Sequence, residues 1–162
     1  TCALPICRVY DTAYFADVVR RARQAVPGIA LGTDLIVGFP GEKDEDFERS
    51  LAFCRDMAFA KMHVFRYSRR PGTPAARAEG QVDPHVMATR SRRMRELAQR
   101  MRHEQALAHV GEEELVVVQY PGRGVTGGLF DALVDPKIAL DSLVRVRVSS
   151  VMDDGTLVCT CS

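Results

Sequence analysis

What this chain lacks narrows its class before any motif is read. No apolar run reaches the roughly 18 residues that a membrane-spanning helix needs. No signal-peptide pattern opens the sequence, so the expectation is a soluble, cytoplasmic protein without a membrane partner. No low-complexity stretch points to disorder, and the 46% of apolar residues suffices for a core. The five cysteines are an odd number with no Cys-x-x-Cys pair, which excludes a secreted disulfide framework and leaves no spacing typical of a bound metal. Cys54 falls in a helical pattern as a small core residue, while Cys159 and Cys161 alternate on a terminal strand and share one face. At 162 residues the chain allows one ordinary domain, or part of one with a small appendage.

What is present is an uneven distribution of charge around a net value of +1. Residues 1–60 hold 7 Lys and Arg against 9 Asp and Glu, residues 61–111 hold 11 against 4, and residues 112–162 hold 4 against 8. A basic middle between acidic flanks suits a polyanion partner such as RNA. A solvated, Arg-rich helix face is the other reading of the same charges.

Periodicity predicts a helix over 11–26, capped by Asp11 or Thr12, with Phe15, Val18, Val19 and Ala22 as its stripe and Pro27-Gly28 as its stop. Ile29 to Val37 reads as a strand buried on both faces, and Gly38-Phe39-Pro40-Gly41 as a turn. A second helix, Asp44 to Met57, has an acidic first turn that suits its dipole and an inner stripe of Phe47, Leu51 and Cys54; Glu42 is placed to cap it. Lys61 to Tyr67 is another strand, with His63 as a packed residue. Helix–strand–helix–strand order with short links is the grammar of parallel α/β units. Two strands cannot close a barrel or bury their own faces. The expected fold class is therefore α/β, cut from a larger barrel, with exposed edges and faces that drive aggregation in isolation.

Residues 68–84 are polar, rich in Arg and Pro, and too long for a plain connection, which points to function. Pro84 opens a long helix to about His109, with Met87, Met94, Leu97, Met101 and Leu107 inside. Arg90, Arg92, Arg93, Arg100 and Arg102 occupy its other face, and Gly111 stops it. Beyond lie five short strands: Leu115 to Gln119, Gly124 to Gly127, Leu129 to Val134, Leu143 to Val148 and Thr156 to Cys161. Pro121-Gly122, Asp135-Pro136 and Asp154-Gly155 punctuate them, so a small antiparallel β-barrel is expected. The expected division is a first domain over residues 1–83, a connecting helix over 84–111 and a barrel over 112–162.

In parallel barrels the working residues gather at the C-terminal ends of strands. Gly38 stands at such an end and, having no Cβ, lets backbone approach a ligand; a glycine that only makes a turn is the other reading. Asp34 contacts a ligand or caps a neighbouring element. After the second strand, Tyr67 offers a ring for an unpaired base, and Ser68, Arg69 and Arg70 offer partners for phosphates. A loop pinned by Arg–carboxylate pairs would use the same residues. Arg145 and Arg147 alternate on one face of a barrel strand and can grip RNA, although that segment carries 4 basic against 8 acidic residues.

Two stretches carry a resemblance. Leu31-Gly32-Thr33-Asp34-Leu35-Ile36-Val37-Gly38-Phe39-Pro40-Gly41-Glu42, followed by Asp44 to Phe47, resembles the fifth strand and following turn of the methylthiotransferase branch of radical S-adenosylmethionine enzymes. His63-Val64-Phe65-Arg66-Tyr67-Ser68-Arg69-Arg70-Pro71-Gly72-Thr73-Pro74-Ala75-Ala76 resembles the sixth strand and its loop. Gln81-Val82 lies where the family commonly has that pair, and the barrel after Gly111 is similar to the appended TRAM domain, a tRNA-binding module. The resemblance runs from about Tyr10 to the end. Gly32-Thr33-Asp34 and His63-Val64-Phe65 are most similar to the branch acting on threonylcarbamoyl-adenosine in tRNA. Arg70-Pro71-Gly72-Thr73 is similar to that branch and to the isopentenyl-adenosine branch, and less so to the one acting on a ribosomal-protein aspartate.

The resemblance implies the C-terminal portion of a partial (β/α) radical SAM barrel followed by a TRAM-like barrel. It implies S-adenosylmethionine and 4Fe–4S clusters as cofactors and tRNA as partner, with the sulfur donor and the catalytic residues left open. Thr33, Asp34, Ile36 and Gly38 would pass beside the cofactor's adenosine, Ile36 by apolar packing. Tyr67, Ser68, Arg69 and Arg70 would hold the adenosine next to the anticodon, and Arg145 and Arg147 would touch RNA. The family's Cys-x-x-x-Cys-x-x-Cys motif is absent, so no metal ligand is expected here and the chain alone is expected to be inactive. Thr1 to Cys7 resemble nothing expected before Tyr10, and Cys2 and Cys7 are not read as cluster ligands. The expectation is a methylthiotransferase fragment; its rivals are a non-catalytic RNA-binding protein built on the barrel and a cluster-free relative that binds only S-adenosylmethionine.

Overall fold

A computed structural model describes residues 10–161. The expectations placed on Thr1 to Cys7 lie outside the described residues, as does the Cys161 side chain. The chain forms two compact units that divide between Leu97 and Ala98.

The first unit runs α1 (Thr12–Ala25), β1 (Gly32–Val37), α2 (Asp44–Met57), β2 (Lys61–Arg66), α3 (Pro74–Arg77) and the start of α4 (Pro84–Leu107). Asp11 caps α1, its carboxylate accepting the Tyr14 N–H at 2.8 Å. The cap of α2 is Lys43, whose N–H donates to the Asp46 carboxylate at 3.1 Å, so Glu42 is not the cap that its position suggests. At the other end of α2, Arg23 of α1 donates to the Met57 and Ala58 carbonyls at 2.5 and 2.9 Å. That guanidinium satisfies carbonyls the helix end leaves open.

Strands β1 and β2 pair in parallel, Gly32 opposite Lys61 through Val37 opposite Arg66, with α2 as the crossover between them. Phe47, Leu51 and Cys54 of α2 are buried together with Val19, Val37 and Phe59, each large side chain contributing about 1.5–3 kcal/mol. The expected strand buried on both faces is corrected here. Burial in β1 alternates, with Thr33 and Leu35 half-buried, Val37 buried, and Asp34 and Ile36 exposed. Among the described residues, the burial pattern leaves one face of the pair without helix cover. His63, expected to be packed, is exposed as well.

Helix α4 starts on the first unit, where Met94 and Leu97 are buried as expected. Arg90, assigned to the solvated face, is buried too. It lies three residues after Met87 and four before Met94, on the inward stripe itself. At the other end, Leu107 was expected inside but is 51% exposed.

The second unit contains β3 (Glu113–Tyr120), β4 (Arg123–Thr126), β5 (Asp131–Leu133), β6 (Leu143–Val151) and β7 (Leu157–Cys161). These close into a barrel in the order β3-β4-β5-β7-β6. The expected all-antiparallel barrel is corrected at one seam: β5 and β7 are parallel, Ala132 opposite Leu157 and Leu133 opposite Val158. A ring with an odd number of strands cannot alternate direction throughout, so closure forces at least one parallel pair. Val116, Val118, Phe130, Ala132, Val134, Val146, Val148 and Leu157 fill the interior, joined by Ala106 from the last turns of α4. Gly124 is required where β4 crosses β3, because a Cβ there would fall 2.4 Å from the Val117 carbonyl oxygen. Arg102 ties α4 to the barrel through the Leu129 carbonyl at 3.1 Å and Asp131 at 2.8 Å. Gly111, in a left-handed conformation with φ of 87°, ends the helix region and donates its N–H to Val148.

Candidate functional site

The C-terminal ends of β1 and β2 lie side by side, as parallel pairing dictates, and both family-like motifs run through them into the following turns. The face free of helices carries Asp34 opposite His63 and Ile36 opposite Phe65. Ile36 is 55% and Phe65 52% exposed, and the His63 and Phe65 rings stack at 6.5 Å between centroids. Asp34 and Ile36 therefore share one side, while Gly38 and Pro40 of the turn after Val37 are buried. Thr33 falls on the helix side of β1, on a cleft of about 710 Å³ that Phe15, Phe53 and Phe59 line and that Asp34 also borders.

The turn after β1 is tightly held. Gly38 adopts a φ of 74°, open mainly to glycine, and a Cβ on it would stand 2.1 Å from Met87 Cγ. Its N–H donates to Glu42 Oε2 at 2.8 Å. Glu42 Oε1 accepts from Arg90 at 2.8 Å, and the Glu42 carbonyl accepts from the same guanidinium at 3.0 Å. The second arm of Arg90 donates to Asp44 at 2.6 Å. From the other side, Gly41 donates its N–H to the Gly80 carbonyl at 2.8 Å.

Tyr67 continues the ladder by donating its N–H to Val37 at 2.9 Å. Its ring meets Phe39 edge-on at 5.2 Å, and its hydroxyl is buried without a hydrogen-bond partner. Leaving such a group unpaired costs about 1–3 kcal/mol. Ser68, Arg69 and Arg70 are exposed. The pins of this loop are not Arg–carboxylate pairs: Gln81 accepts from Arg69 at 2.9 Å and donates to the Ala75 and Ala78 carbonyls at 3.0 and 2.8 Å. Thr73 caps the short α3 by accepting the Ala76 N–H at 3.3 Å.

In the barrel, Arg145 and Arg147 do point to one exposed face, each reaching Glu113, at 3.3 and 3.5 Å. Leu115 and Val117 of β3 and Leu143 of β6 are exposed beside them, Leu115 opposite Arg145 and Val117 opposite Leu143.

Residues in place fit a nucleoside cofactor better than a cluster. Ile36 and Phe65 offer apolar surface and Asp34 a carboxylate for hydroxyl or cationic groups. Among the described residues no group of three His, Cys, Asp or Glu side chains is placed to hold a metal ion. Burial pushes the Cys54 thiol up to about 11 and raises that of Cys159, so neither is a ready thiolate ligand. An iron–sulfur cluster does not fit these residues. No helix among the described residues is long and apolar enough to cross a membrane.

Sequence reading missed Arg90, the true role of Glu42, and Gln81 as organiser of the loop. Arg90 was recoverable from its place on the Met87–Met94 stripe. For the other two, residue type alone did not say which of several nearby or distant backbone groups the side chain would hold.

No protein-family model matches the chain. It is similar to a tRNA-2-methylthio-N(6)-dimethylallyladenosine synthase of Saccharopolyspora erythraea, 42% identical over 72% of this chain and 24% of the relative. It is 42% identical to the threonylcarbamoyladenosine tRNA methylthiotransferase of Bacillus subtilis, over 65% of this chain and 23% of the relative. The corresponding Thermotoga maritima protein is 34% identical over 94% of this chain and 36% of its own length. The chain thus spans about a quarter to a third of the length of the curated relatives it matches. By these similarities, the chain belongs to the radical SAM methylthiotransferase family.

Proposed function

We propose that this chain is the C-terminal part of a tRNA methylthiotransferase, comprising the last two strands of its SAM barrel and a TRAM-like RNA-binding barrel. In this reading, residues 1–83 belong to the catalytic barrel, 84–111 form the connecting helix and 112–162 form the RNA-binding module. The observation that carries it is the helix-free face of β1 and β2, where Asp34–His63 and Ile36–Phe65 stand in register beside the clamped Gly38 turn. A face that is half apolar and half hydrogen-bonding suits an adenosine group, and a sheet face left bare at the C-terminal strand ends is where parallel barrels place ligands.

S-adenosylmethionine bound there would supply the methyl group of the methylthio substituent. Asp34 would hold a hydroxyl or cationic group of the cofactor and Ile36 its base, with Thr33 supporting the strand from the helix side and Gly38 shaping the end of β1 from beneath, packed against Met87. Tyr67, Ser68, Arg69 and Arg70 would receive the tRNA adenosine next to the anticodon, and Arg145 and Arg147 would pair with tRNA phosphates. The iron–sulfur clusters of the parent reaction would be held by residues other than the described ones. The cytoplasm, where tRNA resides, is the matching compartment.

For the substrate we favour threonylcarbamoyl-adenosine, on the motifs Gly32-Thr33-Asp34 and His63-Val64-Phe65. The dimethylallyladenosine synthases among the relatives support the isopentenyl-adenosine reading instead. Mass spectrometry of tRNA nucleosides, with and without the gene, separates the two. Loss of the methylthio form of one adenosine names the substrate. Loss of neither, with tRNA binding retained, would favour a non-catalytic RNA-binding protein.

A further inference from the structure

We propose that Arg90 is a positioning residue for the cofactor-side turn: through Glu42 it fixes the Gly38 amide, and with it the backbone at the end of β1. The inference rests on the proposed reading that S-adenosylmethionine approaches this strand end, and it names a residue of α4 that would govern the fit.

The chemistry of the arrangement carries it. Turn residues 38–41 contain no side chain able to hold their own backbone; two are glycines and one is proline. Gly38 at a φ of 74° has access to many conformations in isolation, since glycine pays no steric penalty on either side of zero. Its single N–H is fixed by one oxygen of Glu42, and the other oxygen of that carboxylate is taken by Arg90. One carboxylate thus bridges a guanidinium and a backbone amide. The same guanidinium also holds the Glu42 carbonyl, so both ends of the five-residue turn depend on it.

Burial distinguishes this arginine from its neighbours. The Arg90 side chain is 7% exposed and that of Glu42 13%, while Arg93, which pairs with Glu48, is 42% exposed. A paired charge held out of water acts in a low-dielectric setting where its geometry is stiff and its loss costly. Arg92 pairs with Glu96 in solvent, as surface arginines ordinarily do. Only Arg90, among the described arginines of α4, reaches the strand-end turn.

Arg93 supplies the control. It belongs to the same helix and lies over the same Phe47 ring, at 5.1 Å against 5.7 Å for Arg90. Its replacement removes an ion pair with a carboxylate of α2, a more exposed one, yet it has no bond to the turn.

The experiment compares the chain with its Arg90→Met, Arg90→Lys and Arg93→Met variants in two measurements. The first is hydrogen exchange at Gly38; the second is the dissociation constant for S-adenosylmethionine by calorimetry. Arg90→Met is expected to lose protection at Gly38 and to weaken cofactor binding about tenfold, the scale of one charge-assisted hydrogen bond. Arg90→Lys, which keeps the charge on Glu42 but not the fork, should fall between, and Arg93→Met should match the original chain in both. Equal effects of Arg90→Met and Arg93→Met, or protection at Gly38 that is unchanged in Arg90→Met, overturn the inference. If the original chain takes up no S-adenosylmethionine but Gly38 protection still depends on Arg90, the cofactor reading fails while the positioning role stands. Should Arg90→Met fail to fold, Arg90→Lys against Arg93→Met gives the same comparison.

Discussion

Gly38 and Met87 are matched so closely that a Cβ on the glycine would lie 2.1 Å from Met87 Cγ and 2.6 Å from its sulfur. A strand-end turn and the first turn of a helix almost fifty residues later therefore occupy one another's space. Two costs are combined at Gly38, the left-handed φ and the missing room, and they can be separated. Gly38→Ala should destabilise the fold by about 2–4 kcal/mol in urea titration. In a Met87→Ala background the same substitution should cost only the left-handed part, about 1–2 kcal/mol. Equal costs in both backgrounds would show that the side chains do not compete.

The loop that carries Ser68, Arg69 and Arg70 depends on Gln81, whose amide joins Arg69 to the carbonyls of Ala75 and Ala78. Gln81→Ala should release it. Limited trypsin digestion is expected to cut after Arg77 several-fold faster than in the original chain, with the urea midpoint lowered by about 1 kcal/mol or less in stability. Unchanged digestion would mean that α3 holds the loop without Gln81.

Arg145 and Arg147 share a single carboxylate at the outer limit of ion pairing, so little stability rides on them. Replacing both by Ala should leave stability within about 0.5 kcal/mol. If they meet phosphates, tRNA affinity should fall and the slope of log affinity against log salt should shrink by about 1–2. A slope identical to the original would remove this face from the RNA-binding reading.

Cys54 gives a pH signature. Burial raises its thiol from 9.0 to about 11, so an unfolded chain ionises before the folded one. The stability linked to this thiol is fully present below pH 9.0 and is lost as pH rises towards about 11. The urea midpoint should drop across that window, and the Cys54→Ala variant should lack the Cys54 share of the drop. Alkylation of Cys54 at neutral pH should also be slow unless the protein is unfolded.

Leu157 is fully buried where β7 meets β5. Leu157→Ala should cost about 2–5 kcal/mol, seen as loss of amide protection in the barrel strands β3 and β6. Protection unchanged there would argue against a single closed core.

Much of the local structure was legible because it is written in short-range chemistry. Asp11 ahead of an apolar stripe, the Asp44–Glu45–Asp46 first turn, Pro27-Gly28 and Gly111 each act on neighbours within a turn, and the helices and strands stand within a few residues of where those signals place them. Reading β1 as buried on both faces failed because a continuous apolar run does not say how many layers will cover it. Burial of Arg90 was missed for the opposite reason: its type argued for solvent and outweighed its spacing, which placed it inward. The parallel seam between β5 and β7 was foreseeable from the count of five strands, since an odd ring cannot alternate.

The sequence by itself determined the elements other than α3 and the turns that end them, because each rests on steric and hydrogen-bonding preferences of adjacent residues. The tertiary structure decided which residues meet across them: Glu42 between Gly38 and Arg90, Gln81 inside its loop, Asp34 opposite His63 and Ile36 opposite Phe65. The pairings of Arg90 with Glu42 and of β1 with β2 depend on helix docking and register over tens of residues, and no local preference encodes a partner that far along the chain.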